Sequence, residues 1–226
     1  MLNRLGAALV LLPVCVGPSL AESPASGARE IALTSLEGLE PRGVVPSVVE
    51  HRGRRAVRLV EAKGAQGDTM ALLKGVEMGD GTIEAELAGS PKPGALEGAR
   101  GFVGIAFHVQ ADGRLECIYV RPTNGRADDQ LRRNHATQYV SHPDFPWFRL
   151  RKEQPGVYES YVDLEPGAWT RIKIVVAGAK ARLYVHGAEQ PTLLVNDLKL
   201  GSLRGGVALW IGDGTEAYFS NLVIRP

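Results

Sequence analysis

The residues with the clearest chemical potential are His108 and Glu116. They flank Ala111, Asp112 and Gly113, which fit a three-residue hairpin loop: a type I turn closed by a glycine in the left-handed region. With Gln110 opposite Arg114, the two-residue period pairs Val109 with Leu115, Phe107 with Cys117 and Ile105 with Tyr119 on one apolar face. The same register sets His108 against Glu116, Ala106 against Ile118 and Gly104 against Val120 on the other face. A four-residue loop would set Glu116 beside Phe107 instead; the three-residue register is preferred because it makes one clean core face. A carboxylate and an imidazole among small residues are what a sheet lining a groove would present. Glu116 is then a candidate acid or base, with His108 or His135 tuning it or sharing the proton. The plainer alternative is a solvated sheet face carrying an ordinary His–Glu pair.

A second group lies in residues 122–156, a stretch far longer than a connection between strands needs to be. It holds four aromatics, Tyr139, Phe145, Trp147 and Phe148, together with His135 and His142. Rings of this kind stack on sugar faces, and amide, imidazole and guanidinium groups bond sugar hydroxyls. Arg121, Asn134, Gln138, Tyr139, His142 and Trp147 are therefore the candidate ligand-binding residues. Tyr119 has the right chemistry, but the hairpin register turns it into the core. The alternative is that the rings plug this segment onto the sheet.

Other chemistries lack their residues. There is no His-Glu-x-x-His, no Cys-x-x-Cys, no phosphate-cradling glycine loop and no Gly-x-Ser-x-Gly elbow. The histidines at 51, 108, 135, 142 and 186 have no tight ligand spacing. Asp213, in the turn Gly212 to Gly214, is the one carboxylate offered to a structural calcium ion; no other cofactor is expected.

The elements that must position these residues are strands. The start of the chain reads as a signal peptide: Arg4, an apolar run from Leu5 to Val16, and Ser19 and Ala21 as the small residues before a cleavage point after residue 21. The run is too short to span a membrane as a helix, and nothing later in the chain would. Cleavage removes Arg4 and leaves 25 basic residues against 25 acidic ones, which gives no electrostatic case for nucleic acid or an anionic membrane. It also leaves Cys117 alone, an expected buried and inert thiol. An exported chain without disulfides fits a bacterial periplasm or exterior. Residues 22–30 read as a flexible leader. Beyond them, about a dozen short runs separated by turn signals and no long amphipathic helix imply an all-β sandwich or barrel. Pro46 marks residues 44–50 as an edge strand, and Ile83, Ala85 and Leu87 alternate with Thr82, Glu84 and Glu86.

The closing half carries a resemblance. Residues 166–176, 181–185 and 205–224 resemble the concanavalin A-like lectin/glucanase superfamily, closest to laminin-G-like and keto-glycoside-hydrolase-like exported bacterial domains. Residues 80–87 and 101–121 match its earlier strands, so the resemblance covers 31–226. It implies a two-sheet antiparallel β-sandwich, a jelly roll, whose concave sheet and loops form a glycan groove. It also implies a carbohydrate or glycoside partner, and an acidic residue at the place of Glu116. The Glu-x-Asp-x-x-Glu strand motif of laminarinase-like members is missing, which argues against a retaining glucanase with two carboxylates across one bond. The expectation is an exported, lectin-like carbohydrate-recognition domain. The alternatives are a glycoside-processing enzyme using Glu116, or a structural or protein-interaction module.

Overall fold

The computed structural model describes residues 27–226. The expected signal peptide, and the expected leader as far as residue 26, lie outside the described residues. From there the chain runs β1 (Arg29–Ile31), β2 (Leu39–Arg42), β3 (Val44–His51), β4 (Arg54–Glu61), β5 (Thr69–Met78), β6 (Gly81–Pro91), β7 (Val103–Val109) and β8 (Leu115–Val120). A 3-10 turn at Pro122–Asn124 and helix α1 (Gln130–Asn134) lead to β9 (Thr137–His142), helix α2 (Trp147–Glu153) and β10 (Glu159–Ser160). Then come β11 (Thr170–Ala177), β12 (Lys180–Val185), β13 (Leu193–Val195), β14 (Gly205–Ile211) and β15 (Thr215–Arg225).

The strands form two antiparallel sheets. One runs β13-β12-β11-β6-β15-β4-β3, with β1 added to β15; the other runs β10-β9-β8-β7-β14-β5-β2. This is an all-β, two-sheet sandwich of the jelly-roll, concanavalin A-like type. β3 takes the sheet edge that Pro46 requires, since proline has no N–H for a second ladder. In β6 the expected alternation holds: Ile83, Ala85 and Leu87 are buried between the sheets, while Glu84 and Glu86 face out and pair with Arg171, Arg225 and Arg54. The seven-stranded sheet behaves differently. Every residue of β7 and β8 is buried, so no alternation in exposure marks its two faces.

The central hairpin departs from its expected register by one residue. Its loop is as expected: Gln110 N–H donates to the Arg114 carbonyl at 2.8 Å, Gly113 N–H donates to the Gln110 carbonyl at 3.1 Å, and Gly113 has φ +88°. Beyond the loop, however, Phe107 faces Glu116, Ala106 faces Cys117, Ile105 faces Ile118 and Gly104 faces Tyr119. The slip occurs at His108, which has φ +50° and forms a β-bulge. The same extra residue shows on the other side of β7, where Gly206 pairs with Val109 but Ala208 pairs with Ala106. The faces of β8 are exchanged as a result, while Ile105 and Phe107 of β7 keep the core face expected of them. Ile105, Phe107, Ile118 and Val120 enter the core between the sheets, and Glu116 with them, whereas Ala106, Leu115, Cys117 and Tyr119 pack on the outer face.

Two further expectations change. The 122–156 stretch is not an irregular insertion, because β9 within it is a full sheet member between β8 and β10. β9 carries no alternation since both its faces are covered, and only its last residue is partly open. The leader ends early, with Arg29 to Ile31 already paired to β15.

The register brings β8 tightly against Gly104. A Cβ there would meet the Ile118 carbonyl oxygen at 2.3 Å and Tyr119 Cβ at 2.5 Å. Gly104→Ala should therefore lower the unfolding free energy by about 3 kcal/mol through overpacking. Urea unfolding checks this, and an unchanged midpoint would contradict the close approach.

Candidate functional site

One cross-strand row organises the outer face of the seven-stranded sheet. From β10 to β8 it runs Glu159, Gln138, Tyr119. It continues through Gly104 and Trp210 to Met70 and Arg42. Gly104 has no side chain, and Tyr119 and Trp210 close over that gap, their ring centroids 4.9 Å apart and 30° from parallel. Phe102 meets Tyr119 edge-on at 6.0 Å. Burial pushes the Tyr119 hydroxyl up to about 12, so it remains a neutral phenol.

Above this floor stand Trp147 and Phe148 from α2, both exposed, with ring centroids 5.8 Å apart and nearly perpendicular. Phe102, Tyr119, Trp210, Trp147 and Phe148 line a cavity of about 460 Å³, together with Asp68, His142 and Asp213. Asp68 Oδ1 accepts from His142 Nδ1 at 2.7 Å and from Trp210 Nε1 at 2.9 Å. Burial alone would raise the Asp68 carboxyl, but the hydrogen bonds and charge of His142, with the Trp210 N–H, hold it below the usual range. His142 is thus oriented by an ionised carboxylate, and its Nε2 has no partner among the described residues.

A second cavity of about 480 Å³ adjoins the first and shares Phe102 and Trp147 with it. It is lined by Arg100, Arg121, Arg132, Arg151 and His135, with Asp129. Arg121 is nearly fully buried, and both its terminal nitrogens are committed. Its Nη1 donates to the His135 carbonyl (3.0 Å) and Glu159 Oε1 (3.1 Å), and its Nη2 donates to the Tyr119 hydroxyl (3.1 Å) and Gln138 Oε1 (2.9 Å). Glu159 also accepts from Arg151 Nε at 3.0 Å and from Arg151 Nη2. Burial would raise Glu159, but its Arg151 bonds and the Arg121 charge override that and hold it low. His135 Nδ1 lies 2.9 Å from Glu159 Oε2 without the alignment of a hydrogen bond. Burial lowers the His135 pKa, and the neighbouring guanidiniums add to the effect against Glu159.

Glu116 is elsewhere. It is fully buried between the sheets and lines neither cavity. Its Oε2 accepts from the Tyr139 hydroxyl at 2.6 Å and its Oε1 from the Leu200 N–H at 2.7 Å. Tyr139 in turn accepts from the Lys199 N–H at 2.8 Å. Lys199 Nζ reaches Asp197 and the Tyr158 hydroxyl, each at 2.6 Å. The cluster pins the 197–200 loop to β8 and β9. Burial raises Glu116 despite these donors, and burial with the Glu116 charge raises Tyr139 strongly. His108, at the bulge, is buried with Nε2 3.3 Å from the Gly79 carbonyl, and burial lowers its pKa. No hydrogen bond joins it to Glu116.

Of the expected ligand-binding residues, His142, Trp147 and Arg121 line the cavities, as does His135 from the expected catalytic group. Gln138 is buried beneath Arg121 and bonded to the Tyr139 and Tyr158 carbonyls. Tyr139 belongs to the core. Asn134 is exposed, accepts from Gln130 at 2.8 Å and lines neither cavity. Asp213 stands exposed at the rim of the first cavity, and among the described residues no three His, Cys, Asp or Glu side chains converge as a metal site. Cys117 is buried, and burial raises its thiol, so it is inert. Asp68, Phe102 and Trp210 escaped the sequence reading because separate loops and strands deliver them to the cavity. The signal for Trp210 was its alternation with Leu209 and Ile211 in β14.

No family model matches the chain, and no curated protein matches it. Solved structures do. A Bacillus subtilis protein of unknown function with a galectin-like fold superposes with a TM-score of 0.56 at 9% identity, over 87% of this chain and 94% of that one. An apo Crh5 transglycosylase gives 0.54 at 13%, over 89% and 85%. A native glycosidic hydrolase gives 0.50 at 13%, over 87% and 94%. At such identities the likeness is one of fold: the chain has a jelly-roll, concanavalin A-like architecture. It carries a buried glutamate in a polar cluster. Among the described residues no helix is long and apolar enough to cross a membrane.

Glu116→Leu should leave the Tyr139 hydroxyl and the Leu200 N–H unpaired and destabilise the fold by about 2–4 kcal/mol. Glu116→Gln, which keeps an acceptor, should cost less. Burial raises the folded-state pKa of Glu116 above 4.5, so protonation favours the folded chain. The wild type should therefore gain stability relative to Glu116→Gln as pH falls from neutrality toward 4.5. Urea unfolding of the three proteins across that window checks both statements, and a difference that shrinks on acidification would contradict the second.

Proposed function

We propose that this chain is an exported carbohydrate-recognition domain that binds a glycan across the outer face of its seven-stranded sheet. The observation that carries the reading is the first cavity: Trp210 and Tyr119 form a stacked floor, and Phe102, Trp147 and Phe148 form the walls. Flat rings present apolar faces to the C–H faces of a sugar, and Asp68, His142 and Asp213 supply acceptors and a donor for its hydroxyls. The platform is prearranged. Trp210 is anchored by Asp68, and Trp147 is braced by Arg151, whose guanidinium carbon lies 4.7 Å from its ring centroid. Rings already held in place lose little freedom on binding. The architecture shared with a transglycosylase and a glycosidic hydrolase agrees with this reading.

A second reading, a glycoside-processing enzyme, is favoured by the Asp68–His142 pair. An imidazole held by an ionised carboxylate inside a cavity is suited to take or give a proton. Glu116, the proton carrier expected from the hairpin, has both oxygens committed in the core.

A neutral and acidic glycan panel, followed by calorimetry and by product analysis, tests these readings. Trp147→Ala removes an exposed ring without opening the core and should weaken binding about tenfold or more. Binding should persist in Glu116→Gln. Unaltered affinity in Trp147→Ala would remove the aromatic groove as the site. Product formed by the wild type and lost in His142→Gln, with binding retained, would move the assignment to the enzyme.

A further inference from the structure

The second cavity has an electrostatic imbalance that the aromatic groove does not explain. Its lining carries four arginines, Arg100, Arg121, Arg132 and Arg151, and one carboxylate, Asp129. Asp129 is already engaged as the cap of α1, accepting the Arg132 backbone N–H at 2.6 Å. Behind the lining, Glu159 alone serves Arg121, Arg151 and His135. Arg100 uses one nitrogen on the Glu97 and Ala99 carbonyls, and Arg132 uses Nε and Nη2 on Asn124 and Thr123. Among the described residues, Arg100 Nε and Nη2, Arg132 Nη1 and Arg151 Nη1 have no acceptor. Arg100 bears the crowding: burial lowers its pKa, the Arg132 charge lowers it further, and Glu97 only partly opposes this. Guanidinium forks with free donors in a partly enclosed space match planar or tetrahedral oxyanions.

We propose that this cavity binds the anionic substituent of an acidic glycan, a carboxylate or a sulfate, while neighbouring sugar rings rest on the aromatic cavity. The inference rests on the glycan-binding reading and adds the ligand class. The two cavities meet at Phe102 and Trp147, so a chain lying across the sheet passes from stacking rings to arginines within one continuous groove. Arg121 is the fixed member, tied to the floor through Tyr119 and Gln138. Arg100, Arg132 and Arg151 hold the donors left for a ligand.

Calorimetry with the full chain tests it. The acidic probes are an oligogalacturonate, an oligomannuronate and dextran sulfate; the neutral ones are the methyl ester of the oligogalacturonate, an oligomannan and dextran. At least one acidic probe should bind about tenfold or more tightly than its neutral counterpart. Which one it is separates carboxylate from sulfate. Arg132→Gln and Arg100→Gln should each lose most of that advantage, and two variants guard against one of them disturbing its loop, with thermal melting as the check on folding. Arg182→Gln, exposed on β12 of the other sheet, should keep it. Equal affinity for acidic and neutral probes would overturn the anion site while leaving the aromatic groove standing. An equal loss in Arg182→Gln would overturn it as general charge attraction. No binding by any probe would overturn both readings together.

Discussion

Side chains on a strand alternate with a period of two, so one inserted residue exchanges the two faces of everything beyond it. In this chain the inserted residue is His108, held at φ +50° between Phe107 and the hairpin loop. A left-handed conformation costs a non-glycine residue on the order of 1–2 kcal/mol. The cost is offset where the exchanged faces gain. With the bulge, Phe107, Ile105, Ile118 and Val120 fill the core between the sheets, and Tyr119 emerges beside Trp210 on the outer face. Without it, Tyr119 would point into the sandwich, and the row from Glu159 to Trp210 would lose the member that accepts from Arg121 and stacks on the indole. The aromatic floor and the arginine cavity therefore depend on the same backbone irregularity.

The bulge also decides the fate of two carboxylates on the same sheet. Glu116 is turned inward and Glu159 outward, and their ionisation is pushed in opposite directions. Glu116 meets a hydroxyl and a backbone N–H, with Lys199 acting only as a nearby charge, and burial wins. Glu159 meets two guanidiniums directly, and their bonds and charges overcome burial. Of these two buried carboxylates, the one whose donors are themselves charged and close is the one whose desolvation is offset. The inward residue is thus suited to a structural cluster that ties down the 197–200 loop. The outward one is suited to remain an anion and hold an array of cations in place.

Much of the fold was legible. Turn residues, the edge-marking Pro46, the alternation in β6 and the similarity of residues 166–224 to concanavalin A-like domains lead to a two-sheet sandwich. Gly113 was legible too, since glycine advertises a left-handed residue. His108 does the same thing without advertising it, and so the hairpin loop is legible in the sequence while its register is not. β9 was hidden for a related reason. Thr137 to Ser141 are covered on both faces, so no polar face marks them as a strand, and short helices on either side make the whole read as a loop. The site divided along the same line. Residues local to the 122–156 stretch, His135, His142 and Trp147, reached the cavities, whereas Asp68, Phe102 and Trp210 come from distant strands and loops that only the closed sheet brings together.

A surface of the kind proposed for glycan recognition must hold flat apolar rings against water and keep polar groups from collapsing onto one another. Here each requirement supports the other. Trp210 stays in place because Asp68 accepts its N–H, and Asp68 stays ionised because His142 donates to it as well. On the far side of Phe102, Arg151 braces Trp147 with the face of its guanidinium while two of its nitrogens bind Glu159. A guanidinium can do both at once because its donors lie in the plane and its stacking surface lies above it. Lysine could not replace it, having neither the plane nor the fork. The rings and the charges are therefore one construction, and a change in the arginine layer will be felt in the orientation of Trp147 as well as in the charge of the cavity.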